Sequence, residues 1–193
     1  LIIKTMEWLA RMMALAGGLV LTALVVLVCV SVAGRGLNTL GHSDFVTAFA
    51  PAVADMLKNF GPVKGDFEMV EAGIAFSIFA FLPICQLHGG HATVDIFTNL
   101  VPKTANRAIV AFWEVVLAGL LVLISWRLYE GLLSKMNNGE TTFLLQFPIW
   151  WAYLASFIGS VAAAIVGVYC AIARILMLVT GRSHMPRTEG AVH

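Results

Sequence analysis

Long apolar runs separated by short polar ones set the plan of this chain. The first run, Met12 to Ala33, carries no charge, follows Lys4 and Arg11, and stops at Gly34-Arg35. A helix crosses a hydrocarbon core of about 30 Å with about 20 largely apolar residues, because every backbone amide must find its partner inside the segment. The run therefore predicts a span over about residues 9–34. A basic flank ahead of an apolar run also describes a signal peptide, whose apolar region holds about 7 to 15 residues. This run is longer, and Ser31-Val32-Ala33 is a weak cleavage site, so it reads as an uncleaved signal-anchor. The chain opens at Leu1 rather than Met, which leaves its true start open.

The second uncharged run, Ala72 to Leu87, is short and has Pro83 near its end. Glu68 and Glu71 are expected in its outer turns, where a carboxylate meets the positive end of the helix dipole. This predicts a span over about 68–88, and a third follows over about 106–133 with Glu114 inside it and Arg127 toward its far end. The fourth stretch, Thr141 to Ala173, exceeds any bilayer. Its first part, Phe143 to Trp151, is expected along the interface, with Pro148 opening a steep helix and Trp150, Trp151 and Tyr153 in an aromatic belt. The span itself is placed at about 148–177.

Between the first two spans, the connection 35–65 has its own order. After Ser43 or Asp44 as N-cap, Phe45, Ala48, Phe49, Ala52 and Met56 recur at helical spacing until Gly61-Pro62. Pro51 argues for a break at Ala50, so two short amphipathic helices suit the pattern as well as one. Their apolar face is read either as floating in the outer leaflet or as a docking surface for another subunit.

Composition agrees with the spans: 60% of residues are apolar, 12% are charged, and mean hydropathy is +0.88. The fold class is all-α integral membrane, a single domain over 1–193 with four transmembrane helices and short interfacial helices. Lys4 and Arg11, then Lys103 and Arg107, then Arg174, Arg182 and Arg187 mark one side as cytoplasmic by the positive-inside rule. Both termini are thus expected in the cytoplasm, and the mixed-charge connection 35–65 outside. Cys29, Cys85 and Cys170 fall in or beside the spans and read as small apolar residues rather than a disulfide framework.

One polar island, Leu87-His88-Gly89-Gly90-His91-Ala92-Thr93-Val94-Asp95-Ile96-Phe97 with Leu100-Val101-Pro102 after it, is specified beyond lipid solubility. Gly89-Gly90 suits the left-handed turn that ends a helix. Thr93 then caps a short cytoplasmic interfacial helix over 93–101, ended by Pro102, and Thr104 is a candidate cap for the third span. His88 and His91 invite a metal, but with only Asp95 nearby they lack a convincing third ligand. Pairing of His91 with Asp95, or contact with a neighbouring subunit, is the preferred reading.

A second span followed by Gly-Gly-His-x-x-Val-Asp-Ile-Phe and then Leu-x-Pro resembles the signature of the small membrane subunit of tripartite ATP-independent periplasmic (TRAP) transporters, the DctQ type. The resemblance covers about residues 8–178. Arg35 matches the family's arginine near the end of the first span, and Glu68 or Glu71 its acidic position at the start of the second. Two features depart from the family: the connection 37–64 is longer than usual, and the histidine lacks its basic flanks, with Gln86, Leu87, Ala92 and Thr93 in their place.

The resemblance implies a non-enzymatic scaffold subunit in a bacterial inner membrane, with no cofactor and no nucleic-acid partner. Its implied partners are membrane lipid, a large membrane subunit that carries an organic acid on an ion gradient, sodium in such systems, and a periplasmic substrate-binding protein. Arg35, Glu68, Glu71, Gly89, Gly90, His91, Asp95, Trp113 and Glu114 become candidate structural or subunit-interface residues.

The residues themselves weigh Glu114 most. Arg107 lies seven positions earlier on about the same face, so local pairing or snorkelling competes with contact to a polar residue of the large subunit. Trp113, Gly119 and Ser125 suggest a surface for another helix, and Gly159, Ala163 and Gly167 form a small-residue stripe for close approach. From their family-matching positions, the resemblance implies that Arg35 pairs with Glu71. Two other classes stay open: a self-sufficient small exporter using Glu114 as its coupling carboxylate, and a haem- or quinone-binding anchor of a redox enzyme. The second wants histidines inside facing spans, whereas His42, His88, His91, His184 and His193 read as interfacial or outside.

Overall fold

The computed structural model describes residues 2–89 and 103–180. Six helices follow in order: α1 (Ile2–Gly41), α2 (Asp44–Phe49), α3 (Pro51–Lys58), α4 (Asp66–His88), α5 (Lys103–Asn138) and α6 (Trp150–Thr180). Four of them, α1, α4, α5 and α6, are long and apolar enough to cross a membrane. The chain is thus an all-α protein with four potential spans.

The long helices stand in a row rather than a closed square. α1 packs on α4, α4 on α6, and α6 on α5. α6 is therefore the most covered of the four and α1 the least. Small residues bring α6 close to both neighbours: a Cβ on Gly159 would lie 2.9 Å from Phe79 Cβ of α4, and one on Gly167 would lie 3.0 Å from Leu121 of α5. Ala163, between them, is fully buried. The small-residue stripe is thus spent on contacts within the chain, where close backbones gain dispersion that lipid cannot match. A second apolar core forms where α1, α4 and α6 meet, from Ala10, Leu87, Val166 and Cys170.

At 40 residues, α1 is about 60 Å long, about twice a hydrocarbon core. Its far end is held by the connection 35–65, which folds back along it. Ser43 caps α2 by accepting the Val46 N–H, and Ala50 separates α2 from α3 with Pro51 at the start of α3, so the connection forms two helices. Asn38 donates to the Lys58 and Phe60 carbonyls at 2.9 and 2.7 Å and clips the end of α3 to α1. Gly34 lies against the Gly61 carbonyl, and Gly41 against Leu57 and Lys58. Phe45 and Phe49 stack at 4.8 Å on the exposed side, as their spacing suggests.

Residues 139–149 form a tight hairpin between α5 and α6. Thr141 bridges Pro148, Thr142 donates its N–H to the Phe147 carbonyl, and Gln146 takes a positive φ of 56°. Pro148 sits just ahead of α6, and its carbonyl accepts the Trp151 N–H. The Lys135 ammonium holds Glu140 and, with Asn138, keeps its carboxyl below the usual carboxylate range.

Candidate functional site

Two polar clusters interrupt the apolar row. The inner one centres on Glu114, which is 6% exposed near the end of α5 that faces the last turns of α4 and α6. Gln86 of α4 donates its side-chain amide to the Glu114 carboxylate. Arg174 of α6 places Nε 3.6 Å from Glu114 Oε1, an ion pair outside hydrogen-bond geometry. Cys170 fills the space beside them, with Sγ 3.7 Å from the Gln86 carbonyl.

The sequence left Glu114 open between local pairing, snorkelling and contact with a large subunit, and its described partners are Gln86 and Arg174. The partners come from two neighbouring helices, because α5 and α4 both lean on α6 and bring Gln86, Glu114 and Arg174 to one level. A carboxylate in such a place is affordable only when paired and hydrogen-bonded. Here both conditions are met inside the chain.

The outer cluster joins α1 to the start of α4. Ser31 of α1 donates its hydroxyl to Asp66 and accepts the Val63 N–H at 3.2 Å. Arg35 lies one turn further along α1, with its guanidinium 4.0 Å from the same Asp66 carboxylate. Asp66, not Glu71, is therefore the partner of Arg35. Glu71 lies five residues further along α4, about 140° around its axis, and so faces away from α1.

Glu68, one turn into α4, serves the hairpin instead. Its carboxylate accepts the Leu144 and Leu145 backbone N–H groups at 2.6 and 2.9 Å. The Leu145 side chain occupies the space that a Cβ on Gly65 would need, and Gly65 itself is left-handed with φ 73°. One acidic residue thus fixes the hairpin across the end of α4. Replacing Glu68 by Ala is expected to speed hydrogen exchange at Leu144 and Leu145 about tenfold, since two charge-assisted bonds are lost. Unchanged exchange at both amides would show that the hairpin is held by Leu145 alone.

The remaining candidates are placed unevenly. Gly89 caps α4 with φ 61°, its N–H on the carbonyls of Cys85 and Gln86, so the glycine turn falls where a left-handed residue is needed. Gly90, His91 and Asp95, with the interfacial helix expected at 93–101, lie outside the described residues. Trp113 is exposed on α5 and stacks edge-on against Phe112, and Gly119 faces open space two turns on. Ser125 instead turns inward, with its hydroxyl on the Leu121 carbonyl. Sequence reasoning missed Gln86, Arg174, Ser31 and Asp66. Gln86 and Arg174 are polar residues within apolar runs, which was the available signal.

Among the described residues, no group of three or more His, Cys, Asp or Glu side chains is placed to hold a metal. His42 and His88 each direct Nδ1 to the carbonyl four residues earlier, at 2.9 and 3.1 Å. The polar groups therefore hold helices together, and the fold defines a small multi-pass helical membrane protein with its buried polar chemistry turned inward. Residues 24–177 match the family described as tripartite ATP-independent periplasmic transporters, DctQ component, and the chain belongs to that family. No curated protein and no solved structure matches it.

Proposed function

We propose that this protein is the small scaffold subunit of a TRAP-type secondary transporter, supporting a large membrane subunit rather than carrying substrate itself. The family match over residues 24–177 is the observation that carries this reading. The closed state of the inner cluster favours it over a self-sufficient exporter. A coupling carboxylate must exchange its partner during transport, whereas Glu114 is buried between Gln86 and Arg174.

In this reading the protein lies in the bacterial inner membrane with both termini in the cytoplasm, consistent with the distribution of Lys and Arg. It performs no catalysis. The large subunit moves an organic acid on a sodium gradient, and a periplasmic binding protein delivers it. The row of helices leaves α1 and α5 with wide apolar faces, and the Trp113 and Gly119 side of α5 offers an aromatic beside an open glycine where a partner helix fits closely. Arg35, His91 and Asp95 act in assembly, from either side of the membrane.

Uptake assays in proteoliposomes test the proposal. The chain alone is expected to give no sodium-dependent uptake of an organic acid, whereas the chain with its large subunit and binding protein does. His91→Ala and Asp95→Ala are expected to lower recovery of the complex without reordering its substrates. Uptake by the chain alone, or a changed substrate order in either variant, would overturn the scaffold assignment.

A further inference from the structure

The outer half of the row contains a cleft that neither polar cluster uses. α4 and α5 meet near Gln86 and Glu114 but lie apart at the other end, with α6 as the floor and the 139–149 hairpin across the mouth. The cavity is about 340 Å³. Its walls are largely apolar: Ala72, Ala75 and Phe79 come from α4, Leu128 from α5 and Ala152 from α6. Glu71 to Phe79 spans about 12 Å along α4, so the cleft runs from the end of the span toward its middle.

Glu71 and Ser156 face this space from α4 and α6, and the Tyr153 side chain lines it as well. Glu68 at the mouth is consumed by the hairpin amides, and Lys135 nearby is consumed by Glu140. Glu71 lines the cleft with no hydrogen bond or ion pair among the described residues. Deeper, Ser156 of α6 is 3% exposed and lines the cleft, and its hydroxyl likewise finds no partner among the described residues. Arg174 Nε is the one fully enclosed side-chain polar atom without a partner among the described residues, so the Ser156 oxygen is open to whatever occupies the cleft.

We propose that this cleft is a site for a phospholipid with a primary ammonium headgroup. The order of groups along it matches such a molecule: a lone carboxylate at the mouth for the ammonium, a hydroxyl below it to donate to an ester carbonyl, and apolar walls for an acyl chain. A soluble amine would leave the apolar walls unfilled, and an anionic headgroup would meet the Glu71 carboxylate. The site goes beyond the scaffold role and does not depend on it, because every lining group belongs to this chain.

Native mass spectrometry tests the assignment on the full chain in nanodiscs made from equal parts phosphatidylethanolamine and phosphatidylglycerol. The retained lipid is expected to be enriched in phosphatidylethanolamine about fivefold over the bulk, the size of one partly exposed ion pair. Glu71→Gln is near-isosteric and exposed, so it is expected to keep the fold and bring the ratio back to the bulk value. Ala75→Trp, which fills the cleft, is expected to lower retention of both lipids. A wild-type ratio equal to the bulk, or an enrichment that survives Glu71→Gln, overturns the proposal. So does a crosslink from Ala75→Cys into a co-purified membrane subunit, because protein would then fill the cleft.

Discussion

Glu114→Ala is expected to destabilise the protein by about 3–5 kcal/mol, the range for breaking a buried charge pair from one side. The loss is large because the substitution leaves two groups behind. Arg174 keeps a charge whose Nε is already buried, and the Gln86 amide loses its acceptor. Glu114→Gln restores an acceptor for Gln86 but not a counter-charge for Arg174, so it should fall between Ala and wild type. Replacing all three together, as Gln86→Leu, Glu114→Leu and Arg174→Met, removes every orphaned group and should recover most of the loss. Thermal unfolding of the detergent-solubilised chain reads all of these. A Glu114→Ala midpoint equal to wild type would mean that the cluster does not bind α4, α5 and α6 together.

Gly34→Val is expected to cost about 1–3 kcal/mol, as overpacking does, and to detach the outer connection from α1. A Cβ at Gly34 would fall on the Gly61 carbonyl oxygen and 3.0 Å from its carbon. Both are backbone atoms, so no side chain can rotate away, and the segment at Gly61 must move instead. Gly36 is the internal control, because a Cβ there meets nothing within 4 Å. Gly36→Val carries the same helix-propensity change on the same helix without the clash. Limited proteolysis between α3 and α4 should therefore accelerate in Gly34→Val and not in Gly36→Val. Equal rates in the two variants would reduce the effect to propensity alone.

Both predictions rest on contacts between residues distant in sequence, which is where sequence reasoning failed. It paired Arg35 with Glu71, because both stand at positions that match the family's arginine and acidic residue near the same interface. The pairing depends on rotation about α4, and Asp66 rather than Glu71 points at α1. It likewise left Glu114 between local pairing, snorkelling and contact with a large subunit, because the row order of helices is not written in any local pattern. By contrast, the break at Ala50, the Ser43 cap and the left-handed Gly89 were legible, since each follows from the chemistry of one or two adjacent residues.

The sequence by itself determined that this protein is helical and built around four apolar segments, because the cost of an unpaired amide in hydrocarbon leaves a long apolar run little alternative to a helix. Its polar island and the order of its spans also pointed to the DctQ family, which the match over residues 24–177 bears out. Only the tertiary structure decided what the charged residues do. Helix order and rotation are set by how small residues such as Gly159 and Gly167 let α6 approach its neighbours. Those approaches bring Gln86, Glu114 and Arg174 together, turn Glu68 to the hairpin, and leave Glu71 and Ser156 facing a cleft.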